Sequence, residues 1–373
     1  MGTTLPAGGV MPSVRAGFMY NTRAMITDIR LQNFRSYEDG SFEFDSGVNI
    51  IVGPNASGKT SLLEAILMIS LGRSYRAKDA EALRHDAPWL RLDVHTQDGS
   101  RSLKLVPAGT TLAKTFVLND VTVRRLSLQK QLPVVLFEPN HLYLLHGQPD
   151  GRRDYLDGLL EQLRPGYASL RRQYRRTLAQ RNRLLKQPHN VTEQIFVWSI
   201  RLGELGGQIA AERQWLVGRI ADRLPQLYGE LSRTDKVISV AYTSGCDVAQ
   251  YSSDMVYRLE QSLERDLERG FTSYGPHRDD MSVWVDGHLA QEAASRGEIR
   301  TLVLGLKIIE LELLQEYRNQ PPLLLLDDVF SELDGARREA LTNELQSHQT
   351  FITTTDADII IKNFSQHSNL IAL

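Results

Sequence analysis

The sequence predicts an α/β fold interrupted by an inserted, mainly helical second lobe, and three observations carry that prediction. A glycine-rich segment, Gly53 to Thr60, sits between a strand-like run and a helix-like run. Four consecutive leucines, Leu323 to Leu326, lead into the paired acids Asp327 and Asp328. Between these landmarks, helical spacing replaces strand-like alternation from Arg152 to about Leu231. An α/β beginning, a helical middle and an α/β end describe one sheet-based head with an insertion. The expected division is a disordered leader or overlong start at 1–24, a head from 25–135 and 271–373, and a helical lobe at 136–270.

The elements follow in order. Met25 to Phe34 alternates Ile29 and Leu31 with polar neighbours, as a strand does, and Phe42 and Phe44 repeat that period. Val48 to Val52 reads as a buried strand ending at glycine. Lys59 to Leu71 is apolar on nearly every face, the mark of a helix enclosed by protein. Alternation returns at Leu90 to Val94, Leu103 to Val106 and Phe116 to Val123, the last with Asn119-Asp120 as a hairpin turn. Val134 to Phe137 closes this β-rich part. In the middle, Leu170, Tyr174, Leu178 and Leu185 share a helical face, and Asp254 to Arg269 forms a charged helical stretch. Met281 to Val285 is a strand followed by an Asp286-Gly287 turn, and an amphipathic helix over Gly297 to Tyr317 precedes the leucine run.

Composition narrows the class. At 373 residues with 24% charged content, the chain is long enough for two lobes with full cores. The formal net charge is −2, so any nucleic-acid binding has to come from a local basic patch. Cys246 is the only cysteine; no intrachain disulfide can form, which fits a reducing, cytoplasmic setting. No run approaches the roughly 18 apolar residues of a membrane span.

The chemistry begins at GPNASGKT, which fits G-x-x-x-x-G-K-[ST] through Gly53, Pro54, Asn55, Ala56, Ser57, Gly58, Lys59 and Thr60. Glycines let the backbone curl so that successive N–H groups face a β-phosphate, and the following helix aims its positive end at the same oxygens. Lys59 brings a point charge to the β- and γ-phosphates of ATP, and the Thr60 hydroxyl can ligate Mg²⁺. A plain glycine turn capping a helix is the competing reading, weakened by the strand before it and the helix after. Acids at the carboxyl end of a buried parallel strand emerge where phosphates lie. Asp327 is therefore the expected Mg²⁺ ligand, and Asp328 the residue that orients or deprotonates the attacking water.

Three further segments resemble those of ABC-type ATPases, implying an ABC-type P-loop ATPase head. Ala294-Ser295-Arg296-Gly297-Glu298 is similar to the signature loop of that family. In the family, the serine hydroxyl and glycine amide of one subunit meet the γ-phosphate held by the other. The resemblance transfers those roles to Ser295 and Gly297 and implies an ATP-dependent homodimer. Glu298 departs from the usual glutamine; its side chain is expected to turn back on its own helix, completing a capping box with Ser295. Ser331-Glu332-Leu333-Asp334 has the spacing of the D-loop. Phe351 to Asp356 reads as a strand carrying threonines where transport ATPases carry a switch histidine. That loss, and an aspartate one methylene shorter than glutamate at Asp328, imply slow hydrolysis acting as a switch.

The chain carries, in order, LQNFRSYEDGSFEF (Leu31 to Phe44), GRSYR (Gly72 to Arg76), FEPN to GRRDYLD (Phe137 to Asp157), QRNRLLK (Gln180 to Lys186), YGPHRDD (Tyr274 to Asp280) and LLLLDDVFSELD. That order, over nearly all of the chain after Met25, resembles the RecF family. The resemblance implies a DNA-repair ATPase that binds duplex beside single-stranded gaps and assists RecA loading with RecO and RecR. An ABC transporter subunit lacks these segments, and a chromosome-organising SMC-like ATPase carries long heptad coiled coil that is missing here.

DNA contacts are sought where the charge is. Gln162 to Gln187 holds eight arginines and lysines and no acid. On a helix, Arg172, Arg175, Arg176 and Arg183 lie away from Leu170, Tyr174 and Leu178, a stripe suited to phosphates and without a base code. A solvated or acid-paired face is the alternative. His277 reads as a hydrogen-bonded residue in a glycine-proline turn, and no His/Cys/Glu cluster has zinc spacing.

Overall fold

Four consecutive leucines can be buried only if both faces of their strand are covered. The computed structural model describes residues 25–76, 78–109, 111–187, 192–318, 320–345, 347–355 and 368–373, and it covers both. The chain runs through β1 (Ile26–Phe34), β2 (Tyr37–Glu43) and β3 (Val48–Val52) into α1 (Lys59–Leu71). It continues through β4 (Leu90–Thr96), β5 (Gly99–Ala108), β6 (Thr111–Leu118), β7 (Val121–Val123) and β8 (Val134–Phe137). Helices α2 (Pro149–Leu163), α3 (Tyr167–Leu185) and α4 (Thr192–Ser232) follow. Next come β9 (Ile238–Thr243), α5 (Tyr251–Gln261), α6 (Leu263–Arg269), β10 (Asp280–Val285), β11 (His288–Leu289) and α7 (Ala290–Ala293). The last part holds α8 (Arg296–Arg318), β12 (Leu323–Asp327), α9 (Gly335–Leu345), β13 (Thr350–Thr354) and β14 (Ser368–Ala372).

Five strands form a parallel sheet in the order β14-β3-β13-β12-β8. Its side chains alternate between two cores, as the two-residue period of a strand requires. Ile50, Val135, Leu324, Leu326 and Ile352 face the helices, whereas Ile51, Val134, Leu323, Leu325 and Phe351 face α1 and the second sheet. That second sheet is antiparallel, ordered β2-β1-β4-β5-β6-β7. Helix α1 lies between the two sheets, which is why Leu62 to Ser70 is buried without a polar stripe. Asn119 and Asp120 take positive φ at the β6–β7 turn, as do Asp286 and Gly287 at the β10–β11 turn.

The helical lobe is continuous with the head. β9 pairs with β10 from Ile238↔Val285 to Thr243↔Asp280, so strand pairing crosses the expected seam at 270/271, and β8 crosses the one at 135/136. The GRRDYLD and YGPHRDD segments meet here. Arg152 makes a two-pronged pair with Asp280 at 2.8 and 2.6 Å, and Arg153 donates to the Asp279 carbonyl at 2.8 Å. Asp279 itself accepts from Tyr242, Tyr251 and Ser244 at 2.6, 2.5 and 2.8 Å. Burial raises the Asp279 carboxyl above its ordinary range, against the pull of these donors.

Leu325 is fully buried in β12, an interior strand of the parallel sheet. Truncation of Leu325→Ala is expected to cost about 2–5 kcal/mol in denaturant unfolding. An unfolding free energy unchanged within about 0.5 kcal/mol would mean that β12 is not enclosed on the face toward α1 and the second sheet.

Candidate nucleotide site

The glycine-rich loop is held by its neighbours before any ligand arrives. Gly53 N–H donates to the Thr354 carbonyl at 3.4 Å as β3 ends. The loop then curls through positive φ at Ala56 (67°) and Gly58 (105°) before entering α1. At Gly58, a Cβ would stand 2.7 Å from the Tyr37 hydroxyl, which donates to the Gly58 carbonyl at 3.2 Å. Both the backbone angle and the close approach therefore require glycine. The Lys59 ammonium folds over the loop, donating to the carbonyls of Gly53 and Pro54 at 2.8 and 2.9 Å. Among the described residues, Ser57 Oγ is buried without a hydrogen-bond partner. An orphaned hydroxyl beside a curled loop and a helix N-terminus fits an anion such as a triphosphate.

The acid end of β12 meets this loop directly. Thr60 Oγ1 donates to Asp327 Oδ1 at 3.0 Å, across 267 positions of chain. Thr353 Oγ1 donates to the same oxygen at 2.7 Å, and the Tyr75 hydroxyl to Oδ2 at 3.4 Å. Asp328 adopts a left-handed φ of 50° and its N–H donates to Thr353 Oγ1 at 3.0 Å. Asp328 then lines one cleft with Asn55, Lys59, Thr60, Arg35 and Arg76. Burial, and next the Asp327 carboxylate, push the Asp328 carboxyl up, while Lys59 opposes the rise. A raised carboxyl is better able to take a proton from water. Hydroxyl and carboxylate oxygens side by side form a hard donor set that fits Mg²⁺.

Four neighbours of this site, Tyr75 among them, were not assigned from the sequence. Glu138 follows β8, beside Asp327 by the Leu326↔Phe137 register, and burial followed by Asp327 raises its carboxyl. Arg35 clamps Glu64 with two bonds of 2.9 and 2.7 Å, and Tyr37 packs on Gly58. The RSY and GRSYR strings contained Arg35, Tyr37 and Tyr75, but spacing alone assigns them no partner.

Ser295 and Gly297 do not line this cleft of their own chain. They open α8, where Ser295 and Glu298 bond reciprocally. Glu298 Oε2 accepts from Ser295 N–H at 2.7 Å, and Ser295 Oγ from Glu298 N–H at 3.3 Å. Glu298 thus turns back on its own helix, and its other oxygen pairs with the Lys236 ammonium. These partners, Lys236 first, hold the carboxyl at about 2. The loop is tied onward to the D-loop segment. Arg337 donates to the Gly297 carbonyl at 2.9 Å and pairs with Asp334, and Arg300 pairs with Glu332 at 2.7 Å. The side chain of Ser331, all of Asp356 and the leader at 1–24 lie outside the described residues.

The basic stretch divides in two. Arg172, Arg175, Arg176 and Arg183 are exposed on α3, opposite buried Tyr174. Arg175 lies 3.8 Å from Asp154, too far for a hydrogen bond. Arg171 is drawn into Asp154, Asp157 and Glu161, and Arg181 is fully buried against Asp266 at 2.8 Å. His277 accepts from Tyr174 at 2.7 Å and donates to the Thr272 carbonyl at 3.1 Å. Burial lowers it to about 4, leaving a neutral structural imidazole at pH 7. Among the described residues there is no group of three or more metal-ligating His, Cys, Asp or Glu side chains, and no helix is long and apolar enough to cross a membrane.

Residues 25–371 match the family described as the RecF/RecN/SMC N terminal domain. The chain is 38% identical to the DNA replication and repair protein RecF of Symbiobacterium thermophilum, covering 91% of this chain and 94% of that one. It is 31% identical to the RecF protein of Acetivibrio thermocellus, covering 90% and 94%. A solved structure described as the recombination mediator protein RecF-ATP in the RecFOR pathway superposes with a TM-score of 0.82 at 29% identity, covering 91% and 94%.

The depressed Glu298 carboxyl has a pH signature. Its contribution is complete above an unfolded value of 4.5 and is lost as pH falls toward about 2. Glu298→Gln is therefore expected to lower stability at neutral pH and to flatten the acid limb of unfolding between those values. An unfolding profile that superimposes on wild type throughout would remove the cap from the account.

Proposed function

This chain belongs to the RecF family of DNA replication and repair proteins, and from that premise we propose that it is an ATP-driven dimerisation switch on DNA. The observation that carries the reading is the Thr60–Asp327 bond, which joins the phosphate loop to the acid end of the leucine strand. Lys59 exchanges the carbonyls of Gly53 and Pro54 for phosphate oxygens, while the loop from Gly53 to Thr60 supplies amides. Thr60 and Asp327 would hold Mg²⁺, which would neutralise phosphate charge when bound. Asp328 positions the attacking water and accepts its proton. As the resemblance to ABC-type ATPases implies, Ser295 and Gly297, which stand outside their own chain's cleft, complete the site of a second copy, with Glu298 turned aside so that its charge does not meet the γ-phosphate. Threonines at 353 to 355 in place of a histidine, and the short Asp328, support slow turnover.

The exposed arginines Arg172, Arg175, Arg176 and Arg183 take DNA phosphates on duplex beside single-stranded gaps, in the cytoplasm. The description of the similar structure within the RecFOR pathway supports partnership with RecO and RecR. Assistance to RecA loading then follows from the family.

Sizing the protein with and without Mg·ATP tests the switch. Wild type is expected to shift to a dimer and Lys59→Ala to remain monomeric; a wild-type protein indifferent to ATP overturns the reading. Asp328→Asn is expected to keep the ATP-dependent dimer while hydrolysis falls about 10²-fold or more. Hydrolysis at the wild-type rate in that variant would assign the base elsewhere.

A further inference from the structure

A cleft between the β-sheet part of the head and α3 has no role in the nucleotide chemistry. Its walls include Arg73, Lys114, Arg124 and Arg125 from the head and Arg172 and Arg175 from α3. Glu161 is the acid among the lining residues, and it is already engaged by Arg73 and Arg171. Lys114 pairs with Asp79 at 2.7 Å. Arg124, Arg125 and Arg172 have no ion-pair partner among the described residues.

The segment bearing Arg124 and Arg125 is anchored. Leu126 packs against the core beneath the second sheet, next to Gly72 and Phe116. Beyond it, Arg318 donates to the carbonyls of Leu128 and Gln131 at 2.6 and 2.8 Å, and Arg101 to that of Lys130 at 2.8 Å. The two guanidiniums therefore start from a fixed base, which reduces the ordering cost of binding. Arg124, Arg125 and Arg172, like charges gathered at one cleft without ion-pair partners among the described residues, repel one another and focus a positive potential outward. Guanidinium forks match phosphate oxygens. Phe116 lines the cleft but is buried, so no aromatic face is offered to a base. From Arg172 to Arg183, α3 extends roughly 16 Å, a length over which one strand presents about five phosphates.

We propose that this cleft grips a duplex DNA backbone from two sides, with Arg124 and Arg125 of the head opposing Arg172 and Arg175 of α3. The proposal rests on the DNA reading of α3 and adds a second wall to it. The backbone enters the cleft and continues past Arg176 and Arg183, so one strand bridges head and helical lobe.

Binding of the full chain with Mg·ATP to a gapped duplex is measured across a salt series for wild type, R124E/R125E, R124Q/R125Q and R176E/R183E. Both variants at 124 and 125 are expected to weaken DNA binding roughly tenfold or more and to reduce the salt slope by about two. Their ATP-dependent sizing profile is expected to match wild type, which separates loss of contact from loss of fold. If wild type binds no DNA, the DNA reading itself fails and the cleft fails with it. If wild type binds and R176E/R183E weakens it while both 124/125 variants leave affinity and slope unchanged, the cleft proposal is overturned and the α3 reading survives. Tripolyphosphate titrated alone separates the sources. If it binds through Arg124 and Arg125 while DNA affinity ignores them, the cleft serves a free polyphosphate and the proposal is wrong.

Discussion

Two threonine hydroxyls converge on one carboxylate oxygen, and the architecture of the head exists to bring them there. Thr60 arrives at the start of α1, Thr353 near the end of β13, and Asp327 at the end of β12. None of the three is near another in sequence; parallel pairing of β3, β13 and β12 gathers their carboxyl ends at one edge. A parallel sheet needs both faces covered. The alternation of Leu323 to Leu326 between two cores meets that need with side chains that carry no polar atom. Polar chemistry starts where the leucines stop.

The same logic explains how an acidic residue is tolerated in the loop that opens α8. Glu298 satisfies an amide at its own helix start and is neutralised by Lys236, which comes from the connector between α4 and β9. The arrangement serves two ends. It caps the helix, and it keeps a negative charge from projecting outward beside Ser295. Arg337 and Arg300 extend the connection to the segment after β12, so the loop at Ser295 and the acid end of the strand are mechanically linked on one chain.

Much of this was legible before any coordinates. The loop spacing, the leucine-acid run and their order implied a shared site because such spacing has a chemical reason. The reciprocal bonds of Ser295 and Glu298 were legible because a capping box is local. Contacts set by distant packing were not. Nothing in GRSYR indicates that Tyr75 donates to Asp327, and nothing in QRNRLLK indicates that Arg181 points inward while Arg183 points outward. Both outcomes depend on which neighbour fills the space beside the helix. The pairing of GRRDYLD with YGPHRDD was invisible for the same reason, although each segment stood out separately.

The inward arginine has a consequence for the outward ones. Arg181 is fully buried with Asp266 as its counter-charge and donates also to Ser199 and Thr272, at 3.0 and 2.9 Å. Separating a buried pair leaves a charge stranded, at roughly 3–5 kcal/mol. Helix α3 therefore has one permitted azimuth: spinning it about its axis would tear that side chain from its socket. The direction in which its outer face looks is set from within, by a residue that never meets solvent.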